Sequence, residues 1–450
     1  MVAAVDSVLE RLSAAGVRQV AVTWDNHAGE TLVKVVPLRH LPEAISKGVG
    51  FSPVSDAFRS DGVIDGAHRL ARPDGDLRLR ADLESLAMLE PQLGWAWAAG
   101  ERWDRNSGPY AADQRHFCRR MEAALADSGW RLRAGFELEW VVVVPGADGT
   151  PQAVLPGGPY GADRLIEGLD YASALLRALD DAEVPWLQFH PEYGPSQFEL
   201  SFAPDRSLTV ADHLIRARLV IQRVTRRFGW YSSFSAKPRL DWVGNGGHLH
   251  LSVLHDQGPI LQGGQGIHGL KPEGEALIAG LLEQLPSLMA LASPSPVSYL
   301  RLIPSSWSAP FQVWGVENRE AALRLVPSAA DGCDAHLEIK AVDPTTNPYL
   351  LLGALQAQVK AALERPRVLP PAQIGDPAAA PGSSARRLPS SLLEARDALA
   401  ADHVLEAAMG PLLHGSLLDS LAAEIQRVQQ LPVEDQVSGC CWWPLVGGLA

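Results

Sequence analysis

Apolar positions recur every three to four residues in some stretches of this chain and every two in others, and the two periods predict different elements. Residues 6–16 (DSVLERLSAAG) carry the longer period and predict a short helix ended by Gly16. Residues 18–23 alternate apolar and polar, and residues 31–36 form a second apolar run, so both are expected as strands. Between them Asp25-Asn26-His27-Ala28-Gly29 is a turn-forming cluster, and the whole predicts a small β-rich unit. Around residues 91–110 the composition turns to Pro, Gly, Asn and aromatics, which marks a boundary. A helix over residues 111–128, ended by Gly129, opens the larger part. Residues 365–389, rich in Pro, Ala, Gly and Ser, predict a long surface loop before helices near 390–400 and 415–430. No repeat at a period of about 20–50 residues is present.

Four separated segments share one design, a strand-like run with ionisable groups two apart. In Phe136-Glu137-Leu138-Glu139-Trp140, strand geometry puts both glutamates on one face and the apolar residues on the other. In residues 247–253 (GHLHLSV) His248, His250 and Ser252 share a face, and in residues 336–340 (HLEIK) His336, Glu338 and Lys340 do. Residues 192–199 (EYGPSQFE) hold Glu192 and Glu199 across a Gly-Pro turn. One such segment alone reads as an amphipathic edge strand with a solvated face. Four together do not, because glutamate is depleted in strands. If the five carboxylates converge they need compensation, since a like-charged pair at ~4 Å costs roughly 4 kcal/mol at an effective dielectric near 20. Carboxylate-rich ligation with a single imidazole suits Mg²⁺ or Mn²⁺ better than Zn²⁺. Arg301, Arg319 and Arg324 lie just upstream of the last segment. Arginines beside divalent cations neutralise a transferring phosphoryl group, whereas without the metal segments they read equally well as surface ion pairs.

Composition narrows the classes. The chain has 450 residues, two to three times a typical domain, with 46% hydrophobic and 20% charged residues, which excludes disorder as the dominant state. Lys and Arg number 39 against 52 Asp and Glu, a net charge of −13 that argues against general nucleic-acid binding. No apolar run approaches the ~18 residues of a membrane span, and the N-terminus shows no signal-type stretch. Cys118, Cys333, Cys440 and Cys441 form no CxxC pair, so a reducing cytoplasm is expected. Residues 264–269 (GQGIHG) match GxGxxG literally, but no clear strand precedes them and Pro272 is expected to interrupt any helix after them. Neither a Walker-type phosphate loop nor HExxH nor GxSxG occurs.

In their order these segments resemble the glutamine synthetase family. The resemblance is carried by Glu137-x-Glu139, residues 192–199, residues 246–252 (GGHLHLS), Asn318-Arg319 with Arg324, and residues 336–344 with Asn347-Pro348-Tyr349-Leu350. It implies an α+β fold: a small N-terminal β-grasp domain, residues 1–107, and a large catalytic domain, residues 108–450, built on a curved antiparallel sheet flanked by helices. It also implies a cytoplasmic homo-oligomer, a double-ring decamer or dodecamer with active sites between subunits, that binds neither nucleic acid nor membrane. By motif position Glu139, Glu192 and Glu199 would hold one Mg²⁺ or Mn²⁺ facing the acid substrate, and Glu137, His248 and Glu338 a second facing ATP. His250, Ser252, Arg324, His336 and Lys340 fall on the nucleotide side, Arg319 at a phosphoryl-stabilising position and Arg301 where the acid substrate binds. The implied reaction is ATP-dependent amide formation from a carboxylic acid and an amine through an acyl phosphate.

Several positions depart from the family pattern. The Asp expected in the Phe-Asp-Gly-Ser stretch is Ser52, and the flap glutamate that closes over ammonia is missing from residues 304–310 (PSSWSAP), where Trp307 stands. Without either anion the site loses attraction for NH₄⁺. Val243 replaces the family's Asn, while His336 and Lys340 replace two arginines, and Lys cannot reproduce a bidentate guanidinium grip. These changes argue for an organic amine, with glutamate as the expected acid. A different acid, plain glutamine synthesis and a silent structural homologue stay open as alternatives, as does whether Ser55 or Asp56 takes the amine proton.

Overall fold

Strand pairing in the first quarter of the chain follows the hydrophobic runs. The computed structural model describes residues 2–90, 93–105, 108–256, 258–328, 334–379 and 385–445. Helix α1 (Val2–Ala14) leads into β1 (Gln19–Asp25) and β2 (Thr31–Pro37), which pair antiparallel with Val22 opposite Lys34. Then come α2 (Leu41–Ser46), β3 (Val49–Phe51), β4 (Leu77–Ala81), β5 (Ala87–Glu90), β6 (Trp95–Asp104) and β7 (Gly108–Pro109). The sheet order is β2-β1-β6-β4-β3, with β5 and β7 also on β6. Gly29 sits at φ +78° in the predicted turn, and a Cβ there would lie 2.5 Å from the carbonyl oxygen of Thr345. Glycine therefore both makes this turn and lets the hairpin touch the far half of the chain. The boundary expected at 107/108 adjoins residues 106–107, which lie outside the described residues.

The larger sheet begins after α3 (Gln114–Asp127), whose N-cap Asp113 accepts the His116 N–H. Its spine is the 15-residue β8 (Arg131–Pro145). Next follow β9 (Pro151–Ala153), α4 (Ala162–Glu167), α5 (Leu169–Asp181), β10 (Trp186–Pro191), β11 (Gln197–Phe202), β12 (Asp205–Arg206) and α6 (Ser207–Arg227). They are succeeded by β13 (Tyr231–Ser233), β14 (Leu249–His255), β15 (Gly258–Pro259), α7 (Pro272–Ala292), β16 (Trp314–Val316), β17 (Leu323–Val326) and β18 (His336–Ile339). The strands run in the order β10-β11-β8-β14-β18-β17-β16, with short strands on β8 and β14, in a curved sheet flanked by helices. Leu132, Ala134, Phe136, Leu138 and Trp140 of β8 are all at most 5% exposed, so the apolar face enters the core as the period-2 pattern requires. Helices α3 and α6 pack behind it. The chain closes with α8 (Pro348–Glu364), α9 (Leu392–Ala400), α10 (His403–Met409), α11 (Pro411–Val428) and α12 (Val433–Ser438).

Two sequence expectations change here. Pro272 does not interrupt a helix; it opens α7 as the first helical residue, where its missing N–H has no partner to lose. And α7 is long and apolar enough to cross a membrane by composition, but 83% of that window is buried inside the fold. Cys118, Cys440 and Cys441 are free and buried, and Cys333 lies outside the described residues.

A buried ion network ties the first sheet to the start of α3. Arg102 of β6, 1% exposed, donates to Asp56 at 2.5 Å and through Nε to Asp113 at 2.9 Å. Replacing Arg102 by Leu strands two buried carboxylates and is expected to cost about 3–5 kcal/mol. The check is a urea midpoint well below that of Arg72→Leu, whose pair with Asp74 is exposed.

Candidate active site

Register brings the charged segments together. On β8, Glu139 lies directly opposite Glu199 of β11. On the other side Glu338 of β18 lies opposite both His250 of β14 and Arg324 of β17. Segment 246–248 extends the β14 edge, because the N–H groups of Glu137 and Glu139 donate to the carbonyls of His248 (2.9 Å) and Gly246 (3.1 Å). A Cβ on Gly246 would sit 2.6 Å from His248 Nε2 and 2.7 Å from Glu139 Oε1, so this position has room only for glycine.

The ionisable groups form one connected cluster. His248 Nδ1 lies 3.1 Å from Glu137 Oε2 and 3.3 Å from Glu338 Oε1, and His250 Nε2 lies 3.2 Å from Glu137 Oε1. Glu338 also receives Arg324 Nη1 at 3.0 Å and Lys340 Nζ at 3.3 Å. Glu139 Oε2 accepts the Gly246 N–H (2.8 Å) and Gln197 Nε2 (2.9 Å). The turn between Glu192 and Glu199 is pinned from behind. Buried Ser196, at φ +51°, accepts the Leu155 N–H at 2.7 Å. Arg164, 1% exposed, donates to the carbonyls of Glu192 (2.5 Å) and Gly157 (2.9 Å).

Charge is unevenly compensated. Burial and the charges of Glu137, Glu139 and Glu192 push the Glu199 carboxyl up to about 10. Burial, with the Glu192 charge, also raises Glu139 against the opposing pull of His248. Burial works against ionising Glu137 too, but hydrogen bonds with His248 and His250 hold it well below the usual carboxylate range. At Glu338 the charges of Lys340, His248 and His250 outweigh burial and bring it to about 2. Among the described residues, three sets of donor atoms lie mutually within 4.8 Å: Glu137, His250 and Glu338; Glu137, Glu199 and His248; and His190, Glu192 and Glu199. Oxygen-rich donors with imidazole nitrogens, and a carboxyl left short of positive charge, fit a hard divalent cation.

The remaining expected residues take varied positions. Arg301 is buried, with Nη2 donating to the Val342 carbonyl at 3.0 Å. Ser252 Oγ reaches the Ala335 carbonyl at 3.4 Å, and the His336 ring lies 5.1 Å from that of His250. Arg319 is exposed in the turn before β17, its charge reaching Tyr160. Ser52 and Ser55 accept hydrogen bonds from Val54 N–H and Trp24 Nε1, and Asp56 is fully buried against Arg102. Two site residues escaped the sequence reading. His190 lies 3.5 Å from Glu192 and 3.8 Å from Glu199, and the same period-2 rule applied to His190-x-Glu192 would have found it. Tyr160 engages Glu192 from a loop that carries no sequence signal.

Comparison with known proteins agrees with this geometry. The glutamine synthetase catalytic domain pattern matches residues 111–438. Gamma-glutamylpolyamine synthetase GlnA3 of Streptomyces coelicolor is 41% identical over 442 residues, 96% of this chain and 94% of that protein. Glutamine synthetase of Thermococcus kodakarensis is 30% identical over 327 residues, 71% of this chain and 68% of its own. A crystal structure described as a novel glutamine synthase homologue has a TM-score of 0.85 at 29% identity, covering 94% of this chain and 98% of its own. Members of that family use ATP and divalent cations. The chain belongs to the glutamine synthetase family and is an ATP-dependent ligase that joins a carboxylic acid to an amine.

Proposed function

We propose that the chain joins the γ-carboxylate of glutamate to an organic amine, polyamines first among them. The carrying observation is a contrast within one site. The carboxylate–imidazole cluster is complete, whereas residues 304–310, the stretch that resembles the family's flap, carry an exposed Trp307 (61%) in place of the flap acid, and an exposed Tyr160 (56%) stands beside Glu192. An alkylamine offers methylenes for such rings and a cation for their faces, and ammonia offers only the charge. The 41% identity to gamma-glutamylpolyamine synthetase supports the same reading.

The roles follow the chemistry. Glu139, Glu192 and Glu199 would hold one Mg²⁺ or Mn²⁺, with Glu137, His248 and Glu338 around another. When bound, such cations screen negative charge on the phosphoryl group and the acid. Arg324, fixed between Glu338 and Glu317, presents a rigid guanidinium on the nucleotide side, joined there by His250, Ser252, His336 and Lys340. Arg319, exposed in its turn, meets the charge of the transferring phosphoryl group. Buried Arg301, with its charge close to Glu139, orients the acid substrate. The acid's carboxylate attacks the γ-phosphoryl group and ADP departs; the amine nitrogen then displaces phosphate and gives up a proton.

We read residues 1–107 as a β-grasp domain, residues 108–450 as the catalytic domain, and the assembly as a cytoplasmic double ring of ten or twelve copies. Val33 and Val35, 52% and 50% exposed on the edge strand β2, support a covering by another subunit.

Phosphate release from ATP should require Mg²⁺ or Mn²⁺, glutamate and a di- or polyamine, with ammonia at least about tenfold poorer in kcat/KM; equal use of ammonia would overturn the organic-amine reading. Glu139→Ala and Glu338→Ala should each lower turnover by about a thousandfold or more and weaken Mn²⁺ binding by calorimetry. Because Glu199 holds its proton up to about 10 in the cation-free protein, cation binding near neutral pH must expel it. Affinity should therefore rise with pH, with close to one proton released per site across buffers of different ionisation enthalpy.

A further inference from the structure

The flap over residues 304–310 holds three non-glycine residues in the left-handed region: Ser305 (φ +57°), Trp307 (+54°) and Ala309 (+55°). L-residues avoid this region because Cβ crowds the following carbonyl, so the loop needs an external hold. Glu320 supplies one. Its Oε1 accepts the Trp307 N–H at 2.5 Å, and its carboxylate also engages the Ser306 N–H. The side chain is only 6% exposed, and its own N–H is fixed to Asn318 Oδ1 at 3.0 Å. Further flap contacts are Ser305 Oγ to Asp376 at 2.6 Å, Ser306 Oγ to the Pro304 carbonyl at 3.3 Å, Ser308 Oγ to the Ile303 carbonyl at 2.8 Å with the Ile303 N–H returning to Ser308 Oγ at 2.9 Å, and the Leu388 N–H to the Pro310 carbonyl at 2.9 Å. None of these touches the Trp307 backbone. Glu320 is also bonded directly to Arg319 in sequence, so one short turn carries both the latch and the arginine facing the phosphoryl group.

We propose that Glu320 is the positioning residue of the amine-facing flap: its carboxylate latches the Trp307 backbone so that the indole stands at the mouth of the site. The proposal rests on the reading of residues 304–310 as the amine end. It accounts for an acid beside Arg319 that no step of the ligation uses. It also explains how Trp307 stays largely exposed on a backbone it would not adopt freely. The latch needs an acceptor oxygen at the right reach, not a charge. Glutamine should therefore keep it, while alanine lacks the oxygen and aspartate is one methylene too short.

Hydrogen exchange on the full-length protein tests the latch without substrate. Glu320→Ala and Glu320→Asp should speed exchange at the amides of residues 306 and 307 by about tenfold, with Glu320→Gln close to the parent. In phosphate release with the amine the parent uses best, Glu320→Ala should raise the amine KM about tenfold, leave those for ATP and the acid within roughly twofold, and be rescued by Glu320→Gln. Unchanged exchange in folded Glu320→Ala, an equal rise in all three KM values, or Glu320→Gln as impaired as Glu320→Ala would each overturn the proposal. If no organic amine supports turnover by the parent, the substrate reading fails, and the exchange experiment still decides the latch.

Discussion

Like charges forced together are the constraint from which the rest of this protein follows. Glu139 and Glu199 face each other across adjacent strands, the arrangement a sheet ordinarily avoids. Burial adds to the repulsion by removing the water that would screen it, which is why Glu199 keeps its proton far above the usual range. Such a cluster persists only on a frame stiff enough not to relax. Backbone pairing of Glu137 and Glu139 with segment 246–248 provides it, and the absent side chain at Gly246 leaves room for the two groups that converge there.

A single long strand is the economical way to build that frame. β8 meets β14 along its first half and β11 along its second, so segments distant in the chain share one central neighbour. Its apolar face is sealed by the core, and Val141 and Val143 are covered from the other side by Cys441 and Trp442. Burial on both sides fixes the register, since a one-residue slip would turn the glutamates into the core. The carboxylate–imidazole cluster is therefore tied to the sheet.

The end proposed to face the amine is built differently. Tyr160, Trp307 and Glu320 come from loops and turns, held by individual hydrogen bonds and not by a ladder. Loops change without disturbing strand register, so substrate choice at this end is free to vary while the carboxylate cluster stays intact. The departures at residues 304–310 fall in such a loop, and that at Ser52 at a cap between elements.

What the sequence determined by itself was local and periodic. Alternation put Glu137 with Glu139 and His248 with His250 on common faces; Glu137, His248 and His250 stand among the converging donor atoms, and Glu139 lies opposite Glu199. Helices near residues 111–128, 390–400 and 415–430 were legible for the same reason, because their apolar spacing is written in neighbouring residues. Only the tertiary structure decided which faces meet. The pairing of Glu139 with Glu199 depends on register, which the distant core selects. Asp56, an open candidate for the amine proton, is drawn instead into a buried bond with Arg102, a partner 46 residues away. Glu320 carries no motif, and its hold on the Trp307 backbone exists only because two turns meet in space. Period is a property of the chain, but charge compensation and contact across loops are properties of the fold.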